Sequence, residues 1–185
     1  EIEGSLEANG IGDTAEERRE LALHVFGILR DGLREAIAGA PEILFVCAAG
    51  NEDDDVEFAQ SIPASFELPN LLVAGAVDQA GDPTSFTTTG ANVAVYANGF
   101  EVSSYVPGGE QQMASGTSMA SPNVVNLAAK LLAVKPELRP TEVIDLIERG
   151  GDRNEDGGLL LINPKATLAL VEGGGGRTTG AAPSR

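Results

Sequence analysis

Ser115-Gly116-Thr117-Ser118-Met119-Ala120-Ser121-Pro122 marks the point where a glycine-rich loop gives way to an apolar run of helical period. Beyond it, Ala120, Val124, Leu127, Ala128 and Leu131 recur at spacings of three and four, which predicts one face of a buried helix. Thr117 reads as the N-cap, leaving Ser118 on the first turn with its hydroxyl at the positive end of the helix dipole. Pro122 fits there, because a missing N–H costs least in the first turn. One hydroxyl is therefore held between a loop and a rigid helix, next to unpaired backbone N–H groups. On cap chemistry alone, Ser and Thr at such a place are ordinary helix caps.

Composition sets the frame around this stretch. The 185 residues are 42% hydrophobic, enough for one globular domain with a real core. Aromatics make up only 4%, Trp is absent, and Gly occurs 23 times, which points to alternating strands and helices with tight turns. A formal net charge of -16 offers no basic patch to neutralise phosphates and argues against a nucleic-acid partner. The single cysteine, Cys47, has no internal disulfide partner and lies in the apolar run 43–49, where it reads as a small buried hydrophobe. No apolar run is long enough for a membrane span. The first residue is Glu1 rather than Met, so the beginning reads as cut or processed.

Upstream, Asp13 and Glu16 read as a capping box opening a helix. Its apolar stripe runs through Leu21, Val25, Ile28, Leu29, Leu33, Ala36 and Ile37, and the only histidine, His24, lies beside it as a structural residue. The unbroken apolar run 43–49 predicts a strand covered on both faces, ending at Gly50-Asn51 and an acidic loop, Glu52 to Asp55. Functional residues of open α/β sheets gather at the carboxyl ends of strands, where Asn51 falls, although Asn after Gly is also an ordinary turn residue. A second buried strand is predicted within 70–78. Short strands are expected at 85–90, 93–97 and 102–105. Thr141 is read as the cap of a further helix whose buried face is Val143, Ile144 and Ile147. Asp152-Arg153-Asn154-Glu155-Asp156-Gly157 resembles half of a calcium loop, or else a polar turn, since Asn163 stands where the closing acidic ligand belongs. A short strand at 159–162 and a helix at 164–171 follow, and residues 173–185 read as a Gly-rich flexible tail after a single domain, 1–172.

Gly116-Thr117-Ser118-Met119-Ala120-Ser121-Pro122 resembles the nucleophile motif of the subtilisin-like serine proteases, the subtilases. Ala48-Ala49-Gly50-Asn51 resembles the segment of that family that carries the side-chain donor of the oxyanion hole, in the correct chain order. The strand ending Val73-Ala74-Gly75-Ala76-Val77 and the proline at 63, which the resemblance implies follows a cis bond, extend the likeness over residues 20–171. The implied fold is α/β: a three-layer subtilisin-like architecture with a mostly parallel central sheet flanked by helices, here its carboxyl-terminal half. The implied activity is serine endopeptidase, with Ser118 as nucleophile, Asn51 holding the oxyanion, and Ala48, Ala49, Gly50, Gly116 and Thr117 lining the substrate site. A small-residue wall leaves room for a large apolar side chain, and the implied substrate is a polypeptide.

A serine hydroxyl needs a base, usually a histidine oriented by a carboxylate. In the family both lie upstream of the Ala-Ala-Gly-Asn strand, and nothing here matches their Asp-Thr-Gly and His-Gly-Thr segments. Asn123 stands where many relatives have His, on the helix and outside the triad. The chain is therefore expected to be nearly inert alone and to need the missing amino-terminal half of the catalytic domain as a partner. The alternative is a catalytically inactive subtilase-like binding or scaffold module. A calcium-stabilised structural domain rests only on the acidic loops. The resemblance implies no cofactor other than possible calcium, and a secreted or cell-envelope location by family default.

Overall fold

The computed structural model describes residues 2–55 and 61–173, and the tail at 174–185 lies outside the described residues. The chain forms two units, Glu1–Pro41 and Glu42–Arg185. The first is a pair of helices, α1 (Ile2–Ala8) packed on α2 (Ala15–Ala38). The α2 cap falls one residue later than the Asp13–Glu16 box predicted from sequence. Thr14 Oγ1 accepts from Glu17 N at 3.1 Å, and Glu17 Oε2 accepts from Thr14 N at 3.2 Å. Thr14, with extended φ and ψ of -122° and 160°, stands three residues ahead of Glu17, which returns the bond. Glu17 also takes the Asp13 N–H, which leaves Asp13 outside the helix. Of the apolar stripe on α2 only Ile37 is buried, while Ile28 and Leu29 are 60% and 55% exposed.

The second unit contains β1 (Phe45–Ala48), β2 (Leu71–Val77), β3 (Val93–Asn98), β4 (Val102–Tyr105), β5 (Gln111–Ala114), α3 (Thr117–Val134), α4 (Pro140–Gly150), β6 (Asp152–Arg153), β7 (Leu160–Leu161) and α5 (Pro164–Gly173). Five strands form one sheet in the order β1-β2-β3-β7-β6, parallel except for β6. The apolar face predicted for α3 is buried throughout: Ala120, Val124, Leu127 and Leu131 are all 0% exposed. It packs on Leu72, Ala74, Ala76, Val95 and Ala97 of the sheet, with Val143 and Ile147 of α4 closing the core. Small alanines on both partners let helix and sheet approach closely, and burial of this kind is the main stabilising term of the domain.

Four expectations are corrected. First, β1 is not covered on both faces: all four residues are half-buried, because it is the edge strand among the described residues, and β2 is the fully buried one. Second, residues 85–90 form turns rather than a strand. Thr87 and Thr88 are buried instead, with Thr87 Oγ1 accepting from Ala76 N at 2.9 Å, and just upstream Thr84 Oγ1 donates to Ala76 O at 3.3 Å. Third, α4 starts at Pro140, one residue before the predicted cap Thr141, because Glu142 Oε2 accepts from Arg139 N at 3.0 Å. Fourth, α3 is capped by Gly116 rather than Thr117, and Pro122 lies inside the helix beyond its first turn, where the missing N–H leaves Ser118 O without its helical partner. The Ile62–Pro63 bond is cis. No helix among the described residues is long and apolar enough to cross a membrane.

Burial pushes the Cys47 thiol up to about 12 from its ordinary 9.0. Below 9.0 both folded and unfolded thiols keep their proton, but above it only the unfolded one releases it. Stability should therefore fall as pH rises from about 9 towards 12, and urea melts of the parent should show a steeper fall than those of Cys47→Ala. Parallel curves for the two would remove Cys47 from the account.

Candidate active site

The site is built where the carboxyl end of β1 meets the start of α3. Ala48 ends β1, and Ala49, 1% exposed, continues the ladder by donating to Ala74 O at 3.0 Å. The backbone then turns at Gly50, whose φ of 120° lies in the region that glycine favours. A Cβ there would come within 2.6 Å of Glu52 Oε2 and 2.9 Å of Thr88 Oγ1. Gly50 N donates to Thr117 Oγ1 at 3.2 Å, across 67 residues of sequence.

Thr117 holds Asn51 in one orientation. Its backbone N–H donates to Asn51 Oδ1 at 2.8 Å. Its hydroxyl proton is shared between Asn51 Oδ1 at 3.1 Å and Gly50 O at 3.2 Å. A backbone N–H can only donate, so the amide atom facing it is the oxygen, and Nδ2 is turned to the other side. Thr117 is 1% exposed and β-branched, which stiffens the side chain that makes these bonds.

Gly116 supplies the third part. A Cβ built on it would lie 3.5 Å from Asn51 Nδ2 and 3.7 Å from Ser118 N. Asn51 Nδ2 and Ser118 N thus border the same space beside Gly116, with Asn51 Oδ1 3.6 Å from the same point. Ser118 N belongs to the first turn of α3, where helical geometry provides no acceptor, and the Ser118 side chain is exposed beside it. Gly116 itself is fixed by its N–H, which donates to Gly99 O at 2.8 Å.

The residues Ala48, Ala49, Gly50, Asn51, Gly116, Thr117 and Ser118 therefore gather in one place, although two segments far apart in sequence supply them. Sequence reasoning missed Glu52, which accepts from Asn51 N at 2.8 Å, and Thr88, which accepts from Glu52 N at 3.3 Å. It also missed Gly99. The signal for Gly99 was its place directly after a strand, but nothing local to 98–100 reveals that another loop rests on it. His24 is exposed on α2, in the other unit. At the suspected calcium loop, Asp152 Oδ2 accepts from Asn163 Nδ2 at 2.7 Å and Asn154 Oδ1 accepts from Leu159 N at 3.0 Å, so both oxygens serve the turn. No cluster of His, Cys, Asp and Glu able to hold a metal occurs among the described residues.

A sequence model described as the Subtilase family matches residues 5–162. The chain belongs to the subtilase family. It is 35% identical over 107 residues to the subtilisin of Bacillus pumilus, covering 57% of this chain and 38% of that protein. It is 36% identical over 121 residues to a subtilisin-like protease of Coccidioides posadasii, covering 64% of this chain and 29% of that one. It thus spans well under half the length of these relatives. Among solved structures, a cold adapted subtilisin-like serine proteinase superposes with a TM-score of 0.65 at 28% identity, over 71% of this chain and 49% of the other. The self-cleaved protease domain of PatA superposes with a TM-score of 0.65 at 28% identity, over 76% and 55%. The mostly parallel sheet flanked by helices is the subtilase α/β fold, and the family is one of serine proteases.

Gly50 gives the test of this local geometry. Gly50→Ala should destabilise the subtilase chain by about 1–3 kcal/mol, from strain at positive φ and the crowding of Glu52 and Thr88. Gly158→Ala, which meets nothing within 4 Å, should change the denaturant midpoint little. Equal midpoints for the two variants would contradict the placement of Gly50.

Proposed function

We propose that this chain forms the nucleophile and oxyanion half of a serine endopeptidase centre. Ser118 Oγ gives its proton to a base and attacks the scissile carbonyl; the C–N bond breaks, the amine leaves with that proton, and water then hydrolyses the acyl-enzyme. The oxyanion of the tetrahedral intermediate sits in the space over Gly116, accepting hydrogen bonds from Asn51 Nδ2 and Ser118 N. One observation carries the reading: Asn51 Nδ2 and Ser118 N, from segments far apart in sequence, border one and the same space beside Gly116. Donors fixed in advance by the surrounding fold stabilise developing charge without reorganising, which is where most of the barrier reduction arises. The Thr117 bonds to Asn51 are such a fixture.

The base comes from outside these residues. The sequence has one histidine, His24, which is exposed on α2 and stands in none of the segments that carry the family's base. The amino-terminal half of a subtilase catalytic domain would bring the histidine and the aspartate, and its strands would pair with the open edge of β1. The substrate is a polypeptide whose residue before the cut rests against Ala48, Ala49 and Gly50. Their small side chains leave a pocket wall suited to a large apolar residue.

A fluorophosphonate probe tests this. Mixed with a subtilase segment carrying the triad Asp and His, the chain should become labelled at Ser118, and Ser118→Ala should abolish the label. Asn51→Ala should slow peptide hydrolysis about 10²–10³-fold, a magnitude established on subtilisin itself. A chain that stays unlabelled with that segment present is the inactive binding or scaffold module instead.

A further inference from the structure

We propose that Asn123 is a positioning residue for Ser118, acting through a two-point clamp on the carboxyl end of β3. It rests on the reading of Ser118 as nucleophile for its catalytic meaning, but its geometry stands apart from that reading. Two consecutive carbonyls, Asn98 O and Gly99 O, face the segment that carries Ser118. Gly99 O accepts from Gly116 N at 2.8 Å, two residues before the serine. Asn98 O accepts from Asn123 Nδ2 at 2.9 Å, five residues after it. The serine is thus spanned by two bonds that end on neighbouring peptide units.

Those peptide units are themselves fixed. Gly99 N donates to Val77 O at 2.9 Å, which ties the bend to β2, and Asn98 Oδ1 accepts from Phe100 N at 3.1 Å, which sets the turn that aims the carbonyls. A Cβ on Gly99 would stand 2.7 Å from Gly116 O and 2.7 Å from Ala76 Cβ, so the close approach of loop and bend depends on a residue without a side chain.

Pro122 explains why the tether is needed. Lacking an N–H, it cannot close the helical bond to Ser118 O, so the first turns of α3 have one fewer internal cross-link at the reacting residue. The half-buried Asn123 replaces that restraint with an external one. The second proton of its amide reaches Met119 O at 3.4 Å, and together the two bonds hold the carboxamide between helix and sheet. The Ser118 N–H is aligned with Asn51 only while this helix start keeps its distance from β1. Positioning of this kind depends on the supporting shell rather than on the reacting groups alone.

Amide hydrogen exchange of the full chain, read residue by residue by NMR, tests the clamp without reference to activity. Asn123→Leu should speed exchange at Gly116 and Ala120 at least tenfold and leave Leu127 to Leu131 and β2 unchanged. Asn123→His, whose Nδ1 lies as far along the side chain as the amide nitrogen, should restore parent rates. Asn123→Asp keeps the shape but loses both donors and should behave as the leucine variant does. Unchanged exchange at 116 and 120 overturns the proposal. So does uniform acceleration through α3 and β2 in both the Leu and Asp variants, since that is a general loss of stability. In preparations that label with fluorophosphonate, Asn123→Leu should slow labelling at least tenfold and Asn123→His should rescue it. Failure of the parent to label would sink the proposed function and leave the exchange result to decide the clamp.

Discussion

Asn51 Oδ1 receives the Thr117 N–H at 2.8 Å and a share of its hydroxyl proton at 3.1 Å, and the arrangement of the site follows from that contact. It joins a loop at the end of an edge strand to the first residue of a buried helix, 66 positions away. Because a backbone N–H has only one role, it decides which way the Asn51 amide faces, and so where Nδ2 points. The cost of leaving a half-buried donor or acceptor unmade is higher than the net value of making the bond, which gives such cross-links their authority over geometry. Thr117 thereby acts as the hinge pin between two halves of one site, and Gly50 and Gly116 supply the room on either side.

The rest of the second unit is arranged to keep that contact in register. α3 is anchored by Ala120, Val124, Leu127 and Leu131, none of them exposed, against strands β2 and β3. The Gly99 bend carries the carboxyl end of β3 to the loop before Ser118, and the inward threonines at 84 and 87 satisfy Ala76 at the end of β2. A dense apolar interior has few alternative arrangements, so a helix start seated on it inherits its stiffness. The exposed β4–β5 hairpin, with Tyr105 at 74% and Met113 at 61%, contributes nothing to that interior.

Much of this was legible in the sequence where a single periodicity or a specific string carried the signal. The spacing from Ala120 to Leu131 located the buried face of α3, and the two segments singled out at 48–51 and 116–122 are ones that meet in the fold. What escaped depended on partners far along the chain. β1 has the apolar composition of a doubly covered strand, yet its half-burial is decided by what lies beside it, which its own residues cannot state. Gln111 to Ala114 has no alternation of its own and becomes a strand by pairing with β4. Thr117 looks like a cap because threonine usually is one, but its oxygen is spent on Gly50 and Asn51, and Gly116 takes the cap position. Residues 85–90 have strand composition, but the Thr87 hydroxyl bonds Ala76 of the neighbouring strand in place of a backbone ladder.

The dependence of the site on one contact is measured most directly by a double-mutant cycle between positions 51 and 117. Chemical denaturation of the parent, Asn51→Ala, Thr117→Val and the double variant gives the coupling between the two side chains, free of what each loses alone. The account predicts a favourable coupling of about 0.5–3 kcal/mol, the range for residues sharing a hydrogen-bond network. Additivity within about 0.3 kcal/mol would mean that the two side chains do not sense each other, which contradicts the share the account gives the Thr117 hydroxyl in holding Asn51.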